Sequence, residues 1–323
     1  MNYVTSTTSD RLDKVLALII GESRSQVGKL ITIGCVSVNS TVVTKPSFKV
    51  KVGDLIGYES IKASTKKSYS VDFDIPVLYE DESILILNKP AGVVVHPAPS
   101  VKEPTLVDWL IEYGVSLSTI SGESRHGIVH RLDKETTGAI VIAKSNQAHR
   151  LLSEQLKDRS MGRYYLALID YPLKESVTVS KPIARNPKNR LKMAIVEGGK
   201  EAKTEFLKIA EAQNGSELIS AKLYSGRTHQ IRVHLSSLNR HILGDTVYGY
   251  KKSNLYGDIK RVMLHAWQIY LNHPVSGKRI MVEAPLFEDM KSYINSNFDR
   301  SDIDEEILQR VVLSTFDSVG HSF

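Results

Sequence analysis

The stretch HGIVHRLDKETTGAIVIAK, residues 126–144, sets two histidines, an arginine and an aspartate directly before an unbroken apolar run. Gly127, Ile128 and Val129 predict extended backbone, DKETTG a turn, and GAIVIAK a new strand. Asp133 then sits on a loop held by two rigid elements, a place that suits a catalytic group. Three readings compete for it. His126 and His130 share a face on either a strand or a helix, which suits a metal, but Asp133 falls at odd separation and no third ligand has an evident spacing. An aspartate before a turn also commonly does no more than accept backbone hydrogen bonds. A catalytic carboxylate is the third reading, and it needs a partner from elsewhere in the chain.

One candidate partner lies in LYSGRTHQIRVHLSSLNRHILGDTVYG, residues 223–249. Alternation after Gly226 reads as a strand, with Arg227, His229 and Ile231 on one face and Thr228, Gln230 and Arg232 on the other. An arginine just past the glycine, Arg227, could meet a carboxylate in a bidentate pair that keeps it charged and aimed, whereas a lone basic strand more commonly carries solvated surface charges.

The rest of the second half mixes strand-like runs (YYLALID, AKTEFLKI, ELISAKLY, MLHAWQIYL) with helical ones (TLVDWLIEYG, NQAHRLLSEQLKD). VLYEDESILILNKP, residues 77–90, reads as two strands joined by an acidic turn. Strand and helix do not alternate regularly, so the expected class is α+β, a mixed and mostly antiparallel central sheet with flanking helices. Neither a G-x-G-x-x-G nor a Walker loop occurs, which argues against a nucleotide cofactor.

The chain of 323 residues is 41% hydrophobic and 24% charged, enough for a folded core and two domains. No run approaches the ~20 apolar residues of a membrane helix, and MNYVTSTTSDRLDK has no apolar stretch, so no membrane association and a cytoplasmic location are expected. The single cysteine, Cys35, lies among Ile33 and Val36 and is expected to be a buried structural thiol. The net charge is +6, and residues 1–67 carry ten Lys and Arg against five Asp and Glu. That surplus suits a polyanionic partner.

The basic segment is patterned. RLDKVLALIIG predicts a helix stopped at Gly21; SQVGKLITIG predicts a second, capped by Ser23 or Ser25 and closed by Gly34. VSVNSTVVTKP turns at Asn39-Ser40, and FKVKVGDLIGYE alternates around a Gly-Asp turn. Two helices followed by a hairpin resemble the alpha-L RNA-binding module of a small-subunit ribosomal protein (the S-four type), a small α/β unit, over residues 10–57. Its candidate RNA contacts are Arg11, Lys14, Arg24 and Lys29. The expected organisation is this module at 1–60, a polar linker at 61–73, a catalytic domain at 74–290 and a tail at 291–323 with a short helix strip of Ile303, Ile307 and Val311.

HRLDKETTG, with NKPAGVVVHP before it and RYYLAL, GRTHQIRVHL and GDTVYG after it, closely resembles the RNA pseudouridine synthases of the RluA/RluD type. The resemblance spans residues 75–285 and implies the pseudouridine synthase fold. It implies Asp133 as nucleophile, Tyr165 against the target base and Arg227 as the basic partner of the aspartate. It also implies that Arg131 fills the place of an extruded uridine, with His130 and Arg232 among the RNA-facing residues. Strand alternation admits only one of Tyr164 and Tyr165 to the pocket. No cofactor and no metal are implied, and the partner is RNA, ribosomal RNA in preference to transfer RNA.

Overall fold

A computed structural model describes residues 2–21, 24–59, 70–98, 100–118, 120 and 126–299. The tail strip of Ile303, Ile307 and Val311, and most of the linker, lie outside them. Contacts divide the chain into two compact units, one of residues up to Asp72 with His96–Ile128, the other of Phe73–Val95 with Val129 onward. Residues 96–128 thus group with the first unit, whereas the sequence suggested one uninterrupted catalytic segment.

The first unit holds β1 (Asn2–Thr5), β2 (Asp10–Arg11), α1 (Leu12–Ile20), α2 (Arg24–Thr32), β3 (Val36–Val38), β4 (Thr41–Val42), β5 (Lys49–Val50) and β6 (Leu55–Tyr58), with α3 at Leu106–Glu112. Leu12, Val15 and Leu16 recur at helical spacing and are buried against Val27, Leu30, Ile31 and the strands. Gly21 ends α1 in the left-handed conformation (φ 74°). Asn39 and Ser40 both take positive φ, as a two-residue hairpin loop matched to strand twist requires. The second expected hairpin does not form. β6 runs between β1 and β3, and β5 pairs with β2, because Asn2–Thr5 supplies a strand that alternation alone did not reveal. Cys35 is half-buried at the rim of this core, not inside it.

The second unit is built on a nine-stranded sheet containing β7 (Val77–Glu80), β8 (Ile84–Lys89), β9 (Thr137–Ala143), β10 (Gly162–Ile169), β11 (Val177–Ser180), β14 (Lys203–Glu211), β15 (Glu217–Leu223), β16 (Leu264–Asn272) and β17 (Arg279–Glu283). A small ribbon pairs β12 (Ile183–Arg185) with β13 (Met193–Ile195). The sheet order is β11-β14-β15-β10-β16-β9-β8-β7, with β17 on β16. Every pairing is antiparallel except β9 with β16, so the sheet is mixed and mostly antiparallel, as expected. That parallel contact is short: His265 and Ala266 face Thr137 and Gly138, after which β16 turns to β17. Gly138 permits it, since a Cβ there would lie 2.3 Å from the Ala266 carbonyl oxygen. α4 (Asn146–Asp158), capped by Ser145, packs Ala148 and Leu152 against β8, β9 and β16. α5 (Gln230–Ser236) and α6 (Glu288–Asn297) complete the unit, and α6 crosses the expected boundary at 290 because its Met290, Tyr293 and Ile294 are buried.

Two local expectations change. Residues 126–133 form turns and bends, with only a bridge at Ile128, since β9 finds its neighbours in β8 and β16. HQIRVHL is the helix α5, not a strand. Its alternation misled because every side chain from Gln230 to Leu235 is buried, so both faces hold polar groups with partners. Gln230 and His234, four residues apart, both bond Thr204 of β14.

Candidate active site

Asp133 opens the turn between the HRL segment and β9, its carbonyl accepting the Thr136 amide at 3.1 Å. Next to it the Lys134 carbonyl accepts from the Gly92 amide (3.0 Å) and from Lys89 Nζ (3.1 Å). Lys89 is fully buried and also donates to the carbonyls of Pro90 and Val93, so its ammonium ties the NKPAG loop to the aspartate's turn. Burial pulls its pKa down to about 7. On the other side of Asp133, His130 Nε2 accepts the Val141 amide at 3.1 Å. Burial keeps this imidazole neutral, with its pKa far below the usual histidine value, so its proton is on Nδ1.

The side chain of Asp133 points into an open cavity of about 790 Å³. Its Oδ2 lies 3.2 Å from Arg232 Nη1, which reaches it from α5. Arg232 is itself fixed by Asp245 through Nε (2.7 Å) and Nη2 (2.8 Å), a bidentate pair whose carboxylate is 1% exposed. The Tyr248 ring covers the guanidinium at 4.9 Å. His229, at the N-cap of α5 with φ 57°, places Nε2 3.9 Å from the same Asp133 oxygen. Tyr248 Oη accepts the Met193 amide and lies 2.8 Å from His229 Nδ1. When Tyr248 Oη donates to Nδ1, a neutral His229 presents Nε2–H toward Asp133. Burial lowers the His229 pKa, in keeping with that form.

The arginine at the carboxylate is therefore Arg232, not Arg227. Arg227 stands exposed at the cavity's edge, its Nε donating to the Glu201 carbonyl at 3.0 Å. The helix explains the exchange: Gln230 Oε1 takes the Arg227 amide and the Ser225 hydroxyl, which turns the chain into α5 and carries Arg232 inward. Arg232, grouped with the RNA contacts in the sequence, is buried. Tyr165 lines the cavity and Tyr164 does not. Tyr164 packs instead near Tyr270, ring centroids 5.5 Å apart. Arg131 is exposed at the mouth. His130 lies in the wall, its Nε2 already used by backbone. Among the described residues no three His, Cys, Asp or Glu side chains gather as a metal site. In the first unit Arg11 and Arg24 both pair with Asp13 (2.9 and 3.0 Å), Lys14 pairs with Asp10 (2.6 Å), and Lys29 is exposed.

Asp245, His229, Tyr248 and Arg163 were not singled out as site residues in the sequence. Asp245 sits in GDTVYG, where an aspartate after a glycine reads as turn chemistry; only its burial beneath Arg232 separates it from that.

The human protein "RNA Pseudouridylate Synthase Domain Containing 1" superposes with a TM-score of 0.58 at 23% identity, covering 74% of this chain and 94% of that one. A second human protein, "RNA Pseudouridylate Synthase Domain Containing 4", gives 0.54 at 23% identity over 68% and 92%. These show the fold. The sequence model of the RNA pseudouridylate synthases matches residues 83–237, and that of the S4 domain matches 10–56. An RNA pseudouridine synthase of Helicobacter pylori is 45% identical over 97% of this chain and 98% of its own. The ribosomal large subunit pseudouridine synthase D of Zymomonas mobilis is 40% identical over 87% and 92%. The chain belongs to the RNA pseudouridylate synthase family and is an RNA pseudouridine synthase with an N-terminal S4 domain.

Proposed function

We propose that this enzyme converts specific uridines of large-subunit ribosomal RNA to pseudouridine in the cytoplasm, with Asp133 as nucleophile and the target base flipped into the cavity. The observation that carries the reading is the Asp133 carboxylate, held at 3.2 Å by an arginine that a second carboxylate fixes from behind. In the reaction the C1′–N1 bond breaks, the uracil turns, C5 bonds to C1′, and a proton lost at C5 is balanced by one gained at N1. Atoms and electrons are conserved, so no cofactor is called for. An ionised carboxylate beside C1′ can attack the sugar as the base departs, as in glycoside hydrolysis. A uridine in a folded RNA must leave its stack to reach such a cavity, and Arg131 at the mouth is suitably placed to fill the gap. Tyr165 in the wall offers a face for the base.

The ribosomal target rests on the names of several relatives, among them the Zymomonas mobilis protein. Transfer RNA is the competing substrate. Asp133→Asn is expected to bind RNA normally yet release no tritium from RNA labelled at uridine C5; appreciable turnover would remove Asp133 from its role. Pseudouridine maps of ribosomal and transfer RNA from cells with and without the gene decide the substrate.

A further inference from the structure

Arg163 lies on β10, two residues before Tyr165 and on the same face, with its backbone paired to Ile269. It lines the cavity and is only 7% exposed. No hydrogen bond or ion pair joins its guanidinium to any described residue, and its Nε is fully buried with no acceptor. The neighbouring His130 is in the same condition, since Nε2 is taken by the Val141 amide while buried Nδ1–H has no acceptor. Gly226 lies beside the guanidinium, where a Cβ would sit 3.4 Å from Arg163 Nη2. A fold rarely buries an unpaired cation, because its lost hydration goes uncompensated. Arg261, held by both oxygens of Asp289 and by the Val262 carbonyl, shows what a structural arginine in this protein looks like. Arg163 instead offers donors to an acceptor that the protein does not contain among its described residues.

We propose, on the reading of Asp133 above, that Arg163 is a catalytic residue that receives the uracil: its Nη groups donate to a carbonyl oxygen of the base and take up the charge of the leaving group. When C1′–N1 breaks, its electron pair passes to the uracil and spreads over N1, O2 and O4, while Asp133 bonds to C1′. A guanidinium whose donors are not engaged by the protein can stabilise that anion. It also holds the freed base while it turns to present C5. Return of the pair through C5 expels Asp133, after which C5 loses its proton and N1 gains one. A phosphate is the less suitable ligand, because Arg131 and Arg227 are exposed to an RNA backbone whereas Arg163 is only 7% exposed.

The test uses the full-length enzyme under single-turnover, saturating conditions, with RNA carrying uridine or 5-fluorouridine at the target. The fluorinated uracil is a better leaving group and needs less help. For R163Q we expect RNA affinity within about twofold of wild type, a rate of glycosidic cleavage down by about 100-fold with uridine, and a clearly smaller loss with 5-fluorouridine. R163K is expected to recover part of the rate. Equal losses on both substrates, with unchanged leaving-group dependence, would mean a structural role and overturn the inference. So would weaker RNA binding with an unchanged rate at saturation, the mark of a phosphate contact. Where R163Q does not fold, as judged by circular dichroism, the leaving-group comparison is made with R163K and is read the same way. Activity in Asp133→Asn would sink the reading of Asp133 itself, whereas an inactive Asp133→Asn beside an unimpaired R163Q would sink only the role of Arg163.

Discussion

Asp133 and Asp245 hold different edges of one guanidinium, and the two grips differ in kind. Asp245 is buried, bidentate and permanent; Asp133 touches a single nitrogen and faces the cavity. Arg232 thus supplies positive charge at the Asp133 carboxylate while a second carboxylate keeps it from moving. Removing it in Arg232→Ala leaves Asp245 buried without its counter-charge, at a cost of about 3–5 kcal/mol. Urea denaturation should show that loss, and single-turnover assays a rate lowered by at least about 100-fold. Arg227→Ala should leave the unfolding free energy within about 0.5 kcal/mol, as for an exposed substitution. The aspartate was legible in the sequence because HRLDKETTG is a local signal. Its arginine was not, since two arginines five positions apart in GRTHQIR offer the same chemistry and only the path of the backbone chooses between them.

At the scale of elements, the junction of β9 and β16 carries the site, because Asp133 enters the sheet there. His265 joins the two strands: Nδ1 lies 2.8 Å from the Thr137 hydroxyl, and Nε2 donates to the Ala284 carbonyl at 2.9 Å. Burial lowers its pKa to about 4. The unfolded chain, with its histidine near 6.5, takes up a proton first as pH falls, so the contribution is complete above about 6.5 and shrinks toward pH 4. The difference corresponds to roughly 3 kcal/mol. His130, His149, His229 and His234 are also lowered by burial and act with the same sign. Urea midpoints should therefore fall steadily from pH 7 to pH 4.5, and less steeply in His265→Gln; a parallel decline in the variant would show that His265 contributes nothing. The long apolar strands β8, β9 and β10 were readable because burial on both faces leaves continuous hydrophobic runs. α5 was not, because a helix buried all round has no polar face to set its period.

For the molecule as a whole, the basic surplus near the N-terminus falls on an S4 domain whose charges are partly engaged. Arg11, Arg24 and Lys14 meet Asp13 and Asp10, whereas Lys29 is exposed at the last turn of α2 with no acid partner among the described residues. Each phosphate contact steepens the dependence of RNA affinity on salt. Lys29→Ala should reduce that log–log slope by about one while leaving the single-turnover rate at saturating RNA unchanged. An unaltered slope would remove Lys29 from the interface. By itself the sequence determined the α+β class, most strands and helices, the S4 domain, the family and the aspartate, because these rest on local periodicity and on contiguous motifs. Only the tertiary structure decided which arginine meets Asp133, which tyrosine lines the cavity and that Arg163 is buried without a partner among the described residues. Those facts depend on residues distant in the chain, brought together by the order of strands in one sheet, and no local pattern encodes a side chain's burial or its lack of an acceptor.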